Sequence, residues 1–129
     1  MRNKFLGTGE SGYHPLRKVK VAFSGLRYAV LYDFSVAYKI VVSAVVLAFA
    51  FAFREVVDVL LILVATGMVL VAELLNSAIE ALCDFVEARD NWKIGVIKDI
   101  AAAGAGVAIA VWAVVLAVEA SEVWLAYAR

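Results

Sequence analysis

Four polar residues between positions 73 and 84 have the spacing of a single helix face. They are three, four and four positions apart and so form one stripe on an α-helix, which we call the polar stripe: Glu73, Asn76, Glu80 and Asp84. The positions between them are mostly apolar. Such a stripe is either a solvated helix face or a row of groups with a chemical role, and the long apolar run before it favours the second interpretation.

Three carboxylates and an amide in one row suit phosphate chemistry. Two carboxylates together with phosphate oxygens make a typical Mg²⁺ site, because Mg²⁺ keeps several waters and rarely uses an all-protein cage. A partly desolvated glutamate can act as a general base, and a lysine can bind phosphates as a point charge. These groups are the parts of a phosphoryl-transfer site. The sequence has no Walker-A motif and no H-R-D motif, so it does not indicate a soluble kinase fold.

The composition is that of a membrane protein. Of the 129 residues, 65% are hydrophobic, and the mean hydropathy is +0.92, whereas about 45–50% apolar residues is usual for a soluble domain. The formal net charge is zero, so no basic surface indicates a nucleic-acid partner. The length is that of one domain, and the single cysteine, Cys83, excludes an intramolecular disulfide.

Three apolar segments predict membrane-spanning helices at 34–53, 56–87 and 98–120. The first has 20 residues and one charge, Lys39, and this is the length that crosses about 30 Å of hydrocarbon. The second is longer than a span requires, so its polar stripe begins just inside the apolar boundary and continues into water. Ionisable groups at such a depth are costly and are functional by default.

The N-terminal part of the chain is predicted to lie outside the hydrocarbon. Residues 1–13 are polar and glycine-rich, which is typical of a flexible head, and 16–31 has the pattern of a basic amphipathic helix that lies on the membrane surface. Seven Lys and Arg residues occupy the first 39 positions, and three more occupy a polar loop predicted at 87–98. This bias places both segments, and with them the polar stripe, on the cytoplasmic side.

The polar stripe also resembles a known family motif. The pattern E-x-x-N-x-A-I-E-x-x-x-D at 73–84, with K-D at 98–99 and G-L-R at 25–27, closely resembles the prokaryotic diacylglycerol kinase family, which includes the undecaprenol kinases. The resemblance covers roughly residues 16–120. It implies a homotrimer of three-span subunits in the bacterial inner membrane, which phosphorylates a membrane lipid alcohol with ATP and Mg²⁺.

The resemblance implies a role for each matching position. Glu73 stands where the family has its general base, which takes the proton from the lipid hydroxyl. Glu80 stands at a Mg²⁺ ligand, and Asp33 replaces the second acidic ligand, a glutamate in the family, with a side chain one methylene shorter. Around this position the chain departs from the family, because Ala37 and Tyr38 stand where a basic residue is often expected. Lys98 stands at the family lysine that contacts ATP phosphates, Asp99 at its nucleotide-contacting neighbour, and Asn76 and Asp84 at polar residues that organise the nucleotide site. Apart from the resemblance, Arg17 is a further candidate for a phosphate contact.

We therefore predict a lipid kinase that converts diacylglycerol to phosphatidic acid, with an undecaprenol kinase of the same family as the alternative. Two other classes fit part of the sequence: a small cation or proton transporter that uses Glu73 and Glu80 as a relay, and a structural membrane module without chemistry. The Lys98-Asp99 pair is predicted on the same side of the membrane as the polar stripe, which favours the kinase over both.

Overall fold

Every secondary-structure element in the described part of the chain, Gly12 and residues 14–129, is a helix. In this part, the computed structural model contains four helices: α1 (Pro15–Tyr32), α2 (Phe34–Phe53), α3 (Val56–Val86) and α4 (Trp92–Tyr127). The prediction of an all-α protein is confirmed. The predicted flexible head at 1–13 lies outside the described residues, apart from Gly12.

Three of these helices, α2, α3 and α4, are long and apolar enough to cross a membrane, which confirms the predicted number of candidate spans. They have 20, 31 and 36 residues. At ~1.5 Å per residue, α3 and α4 are roughly 46 Å and 54 Å long, more than the ~30 Å of hydrocarbon in a bilayer. Part of each helix therefore extends beyond the apolar layer.

Asp33 forms the junction between the first two helices. Its N–H donates to the carbonyl of Ala29 at 2.8 Å and closes α1, while its carboxylate accepts the N–H of Ser35 at 2.9 Å and caps α2. An aspartate at this position satisfies a helix N–H that has no intrahelical partner. The same carboxylate is thereby fixed at the start of the first apolar helix.

The last helix begins earlier than the sequence predicts. The side chain of Asn91 caps α4 by accepting the N–H of Lys93 at 3.0 Å, so α4 begins at Trp92 and ends at Tyr127, beyond both bounds of the predicted span at 98–120. The polar loop predicted at 87–98 is therefore wrong in its extent, and the connection covers only 87–91. Polar residues continue the helix here because they are largely exposed at its end and need no apolar neighbours.

The three long helices α2, α3 and α4 all pack against one another. One buried cluster joins α3 to α4, and it consists of Ala65, Val69, Trp112 and Leu116. A second cluster joins α2 to α3, and it consists of Ala50, Val59 and Ile62. The indole N–H of Trp112 also donates to Ser43 Oγ at 2.8 Å and ties α4 to α2. Most other large apolar side chains are exposed, as expected for helices that face lipid or further subunits.

The first helix has a different environment. α1 contributes no buried residue and packs mainly against the start of the bundle, through α2. Its location on a membrane surface and the assembly of the chain into a trimer both stay predictions.

Candidate active site

The polar stripe lies at one end of the helical bundle. The connection between α2 and α3 has two residues, 54 and 55, so these helices are antiparallel and the start of α2 lies beside the last turns of α3. We call this the stripe end, and we call the opposite end, with the 54–55 connection, the hairpin end. The start of α4 also lies at the stripe end, because α4 is antiparallel to α3.

Glu73, the predicted general base, is buried and paired with a lysine. Lys39 Nζ lies 2.7 Å from Glu73 Oε1, and the side chains of the two residues are 0% and 7% exposed. Ser35 Oγ donates to the same carboxylate oxygen at 3.0 Å. Lys39 also donates to the carbonyl of Ser35 at 3.1 Å and to its hydroxyl, and it lies 4.5 Å from the centroid of the Tyr38 ring.

The two oxygens of Glu73 have different surroundings. Oε1 accepts both donors, Lys39 Nζ and Ser35 Oγ. Among the described residues, nothing donates to Oε2, and this oxygen does not belong to the buried side-chain atoms that lack a hydrogen-bond partner. Oε2 is therefore the oxygen that the described residues leave without a donor and not fully enclosed. A carboxylate held in this way can accept a proton at Oε2 without losing either of its bonds to α2.

Sequence reasoning did not identify Lys39 or Ser35 as site residues. The signal was present, because Lys39 is the one charge inside the first apolar segment, and an intramembrane charge requires a partner. The sequence does not show which turn of α2 lies beside Glu73, so the partner could not be named.

A second bond joins α2 to the polar stripe through Asp33. Ser77 Oγ donates to Asp33 Oδ2 at 2.9 Å, while Asp33 Oδ1 holds the cap of α2. Ser77 lies four positions after Glu73 and three before Glu80, so all three residues share one helix face. Asp33 is thus held against the face that carries the predicted general base, Glu73, and the predicted metal ligand, Glu80. Sequence reasoning did not single out Ser77, which makes this contact.

Glu80 is exposed, and its neighbour Asn76 holds one of its oxygens. Asn76 Nδ2 donates to Glu80 Oε1 at 2.9 Å, and Asn76 Oδ1 is buried without a hydrogen-bond partner among the described residues. In that part of the chain, no group of three or more His, Cys, Asp or Glu side chains is placed to hold a metal ion. The predicted metal ligands Glu80 and Asp33 carry carboxylate oxygens, which are hard ligands of the kind that Mg²⁺ prefers.

Lys98 and Asp84 are joined by an ion pair that links α4 to α3. The side chains of Lys98 and Asp84 are 34% and 66% exposed, so this pair is open to water and easily exchanged. Two further predicted nucleotide residues are exposed and are not brought into this pair: Asp99 on α4 and Arg17 in the first turn of α1. The structure therefore brings the two predicted residues Asp84 and Lys98 together.

The connection between α3 and α4 carries a further fixed negative charge. Arg89 donates to Glu87 Oε1 from its backbone N–H at 3.1 Å and from its guanidinium at 3.0 Å. These bonds lower the pKa of Glu87, the guanidinium bond being the larger cause. Glu87 thus remains ionised to more acidic pH than an ordinary glutamate.

The sequence was also compared with known proteins. Residues 20–119, well over half of the chain, match the family model described as prokaryotic diacylglycerol kinase. The matched residues include the capping aspartate of α2, the whole polar stripe and the Lys98-Asp99 pair. None of the curated proteins matches the chain.

Proposed function

The chain belongs to the prokaryotic diacylglycerol kinase family of membrane lipid kinases, and from that premise we propose that it phosphorylates diacylglycerol to phosphatidic acid with MgATP. The observation that carries the proposal is the buried carboxylate of Glu73, which has one oxygen fixed by α2 and the other open. A lipid hydroxyl meets such a group at the boundary of the apolar layer, whereas a soluble substrate does not.

The chemistry requires one proton transfer and one phosphoryl transfer. The lipid hydroxyl oxygen forms a bond to the γ-phosphorus, and the bond between this phosphorus and the bridging oxygen of ADP breaks. The hydroxyl proton passes to Glu73 Oε2, so that the attacking oxygen carries the charge of an alkoxide only in the transition state. The products are the phosphorylated lipid and ADP, and the proton leaves Glu73 for water.

Two acids at the stripe end fit the metal that this family implies. Asp33 and Glu80 would hold Mg²⁺, and the buried Oδ1 of Asn76 is an acceptor that lacks a partner among the described residues. The bound metal would neutralise charge on the phosphate oxygens of the nucleotide. A site with so few protein ligands suits an ion that arrives with the phosphates.

The nucleotide would bind where α3 and α4 extend beyond the hydrocarbon. Lys98 would exchange its exposed partner Asp84 for phosphate oxygens, which are stronger acceptors for an ammonium group. Asp99 and Arg17 would contact the nucleotide from the start of α4 and from α1. The stripe end would face the cytoplasm of a bacterial inner membrane, in a homotrimer whose subunits cover part of the exposed apolar surface.

A direct assay tests this function. The purified protein in detergent micelles is given Mg²⁺, ATP labelled at the γ-phosphate, and either diacylglycerol or undecaprenol. We expect label in phosphatidic acid, at a rate that depends on the diacylglycerol concentration. Label in undecaprenyl phosphate alone would identify an undecaprenol kinase, and the absence of label in both lipids would refute a lipid kinase.

A further inference from the structure

The most unusual group near the site is the buried ammonium of Lys39. Its side chain is 0% exposed, although it lies in a helix with no other charged residue. A cation at membrane depth is expensive unless it is paired, and such residues usually have a function. Lys39 contacts three residues close to one another: the carboxylate of Glu73, the carbonyl and hydroxyl of Ser35, and the ring of Tyr38.

We infer that Lys39 is a positioning residue for Glu73, which keeps its carboxylate ionised at membrane depth and leaves Oε2 as the only oxygen free to take the lipid proton. The inference rests on the lipid kinase function proposed above, and it assigns to Lys39 a role in that reaction. Lys39 itself need not touch the lipid.

The first half of the argument is electrostatic. A carboxylate that is removed from water without a cation takes up a proton, because the neutral acid costs far less to bury. A protonated Glu73 cannot accept a proton from a lipid hydroxyl. The ammonium of Lys39 at 2.7 Å from Glu73 Oε1 stabilises the charged form of this buried carboxylate.

The second half of the argument is geometric. Lys39 and Ser35 both bond to Oε1, so the carboxylate cannot rotate without breaking two bonds to α2. Proton transfer requires hydrogen-bond distance and correct direction between donor and base. The two bonds therefore fix the direction in which Oε2 points.

The other titratable groups near Glu73 do not replace Lys39. From α2, the nearby groups are Tyr38, whose ring lies beside the ammonium, and Asp33, which bonds to Ser77. Among the described residues, no hydrogen bond or ion pair joins a charged group of α1 or α4 to Glu73. Lys39 is the one cation in direct contact with this carboxylate in that part of the chain.

During turnover Lys39 keeps its own proton. The hydroxyl proton moves to Glu73 Oε2, the carboxyl group becomes neutral, and the ammonium then lies beside a neutral acid. The proton must leave Glu73 before the next cycle, and the ammonium favours that departure because it stabilises the carboxylate that remains.

The test compares the wild type with Lys39→Met, Lys39→Gln and Lys39→Arg in the lipid phosphorylation assay from mildly acidic to alkaline pH. Lys39→Met preserves length and removes the charge, Lys39→Gln retains a donor for Oε1, and Lys39→Arg retains the cation. Ser43→Ala is the matched control, because Ser43 is also buried on α2, one turn further along, and its hydroxyl bonds to Trp112 rather than to Glu73.

We expect Lys39→Met to lower kcat at neutral pH by about 10²-fold, with little change in the KM for ATP and with recovery of activity as the pH rises. Lys39→Gln should show the same alkaline recovery from a smaller loss, and it decides the question if Lys39→Met does not fold. Lys39→Arg should retain kcat within about tenfold at neutral pH, and Ser43→Ala should follow the wild-type pH profile.

Two results would overturn the inference while the wild type phosphorylates lipid: unchanged or increased kcat in Lys39→Met and Lys39→Gln, or a loss that is equal at every pH. A wild type without lipid phosphorylation would instead refute the proposed function, and with it this role of Lys39. The two failures are therefore separated by the wild-type measurement alone.

Discussion

The bundle has an ion-pair group around a buried glutamate at each end, and the two groups are built differently. At the stripe end, one cation, Lys39, meets one carboxylate, Glu73, at 2.7 Å. At the hairpin end, one cation, Arg54, is shared by three carboxylates at longer distances: Asp58 at 3.0 Å, Glu119 at 3.5 Å and Glu122 at 3.6 Å. Lys39 is 0% exposed and Arg54 is 23% exposed.

The geometry of each ion-pair group indicates its role. Arg54 lies in the connection between α2 and α3 and pairs with Asp58 on α3 and with Glu119 and Glu122 in the last part of α4. The cluster therefore ties α3 and α4 together at the hairpin end. Two of its buried atoms, Arg54 Nε and Glu119 Oε2, have no hydrogen-bond partner among the described residues, so its geometry is loose. The Lys39–Glu73 pair is tight and balanced, and it leaves one carboxylate oxygen open. We interpret the Arg54 cluster as a structural clamp and the Lys39–Glu73 pair as part of the catalytic machinery.

The largest expected effect separates two equally buried glutamates. Glu73 and Glu119 are each 5% exposed. Glu73→Gln keeps the shape but removes the base, so we expect kcat for lipid phosphorylation to fall by about 10²-fold or more. Glu119→Gln should leave kcat within about twofold, because the hairpin end takes no part in the transfer. Equal losses in the two variants, measured by steady-state kinetics on folded protein, would show that burial of a carboxylate matters at both ends and that Glu73 is not the base.

The next effect concerns the exposed ion pair of the stripe end. If Lys98 binds phosphates, Lys98→Ala should raise the KM for ATP by about tenfold, the loss of one charge-assisted contact, with little change in the KM for the lipid. Lys98→Arg should have a KM for ATP between those of the wild type and Lys98→Ala, since a guanidinium fork differs from a compact ammonium. Lys93→Ala is the control, because Lys93 lies in the first turn of the same helix. A KM that rises equally for both substrates would indicate a structural role for Lys98.

A smaller effect is expected at the metal position. Asp33→Asn retains a good helix cap but removes the charge, so it tests the metal without unfolding the start of α2. In Asp33→Asn we expect the Mg²⁺ concentration for half-maximal activity at fixed ATP to rise by about three- to tenfold. In Asp33→Glu this concentration should be close to that of the wild type. Asp58→Asn at the hairpin end should leave the Mg²⁺ dependence unchanged. If Asp33→Asn also leaves it unchanged, Glu80 would be the only acidic protein ligand.

The sequence predicted this fold better than it predicted the contacts inside it. The number of apolar helices and the position of the polar stripe follow from hydropathy and from spacing along one chain segment, which are local properties. The pairs Lys39–Glu73 and Asp33–Ser77 depend on how far α2 is shifted along α3. That shift is set by side-chain packing between helices, which has no periodic signal in a single sequence. The early start of α4 was missed for a different reason, because polarity was used to predict a loop although Asn91 provides a helix cap.

The smallest effect on activity is expected for Arg54 at the hairpin end, where a substitution should instead lower the stability of the fold. Arg54→Gln removes the only cation that contacts Glu119 in the described part of the chain, and a buried carboxylate without a cation destabilises the folded state. We expect a loss of about 1–3 kcal/mol in the free energy of unfolding, less than for a fully buried pair because Arg54 and Glu122 retain access to water.

Denaturant unfolding in detergent micelles measures this loss, and lipid phosphorylation below the unfolding transition should retain wild-type kcat. The double variant Arg54→Gln/Glu119→Gln should recover most of the lost stability, since it leaves no unpaired charge on α4 at this end except the half-exposed Glu122. The corresponding double variant at the stripe end, Lys39→Met/Glu73→Gln, should also be stable and yet inactive. If Arg54→Gln instead lowered kcat as Lys39→Met is expected to do, the two ends would share a role in catalysis, and the hairpin end would not be a clamp alone.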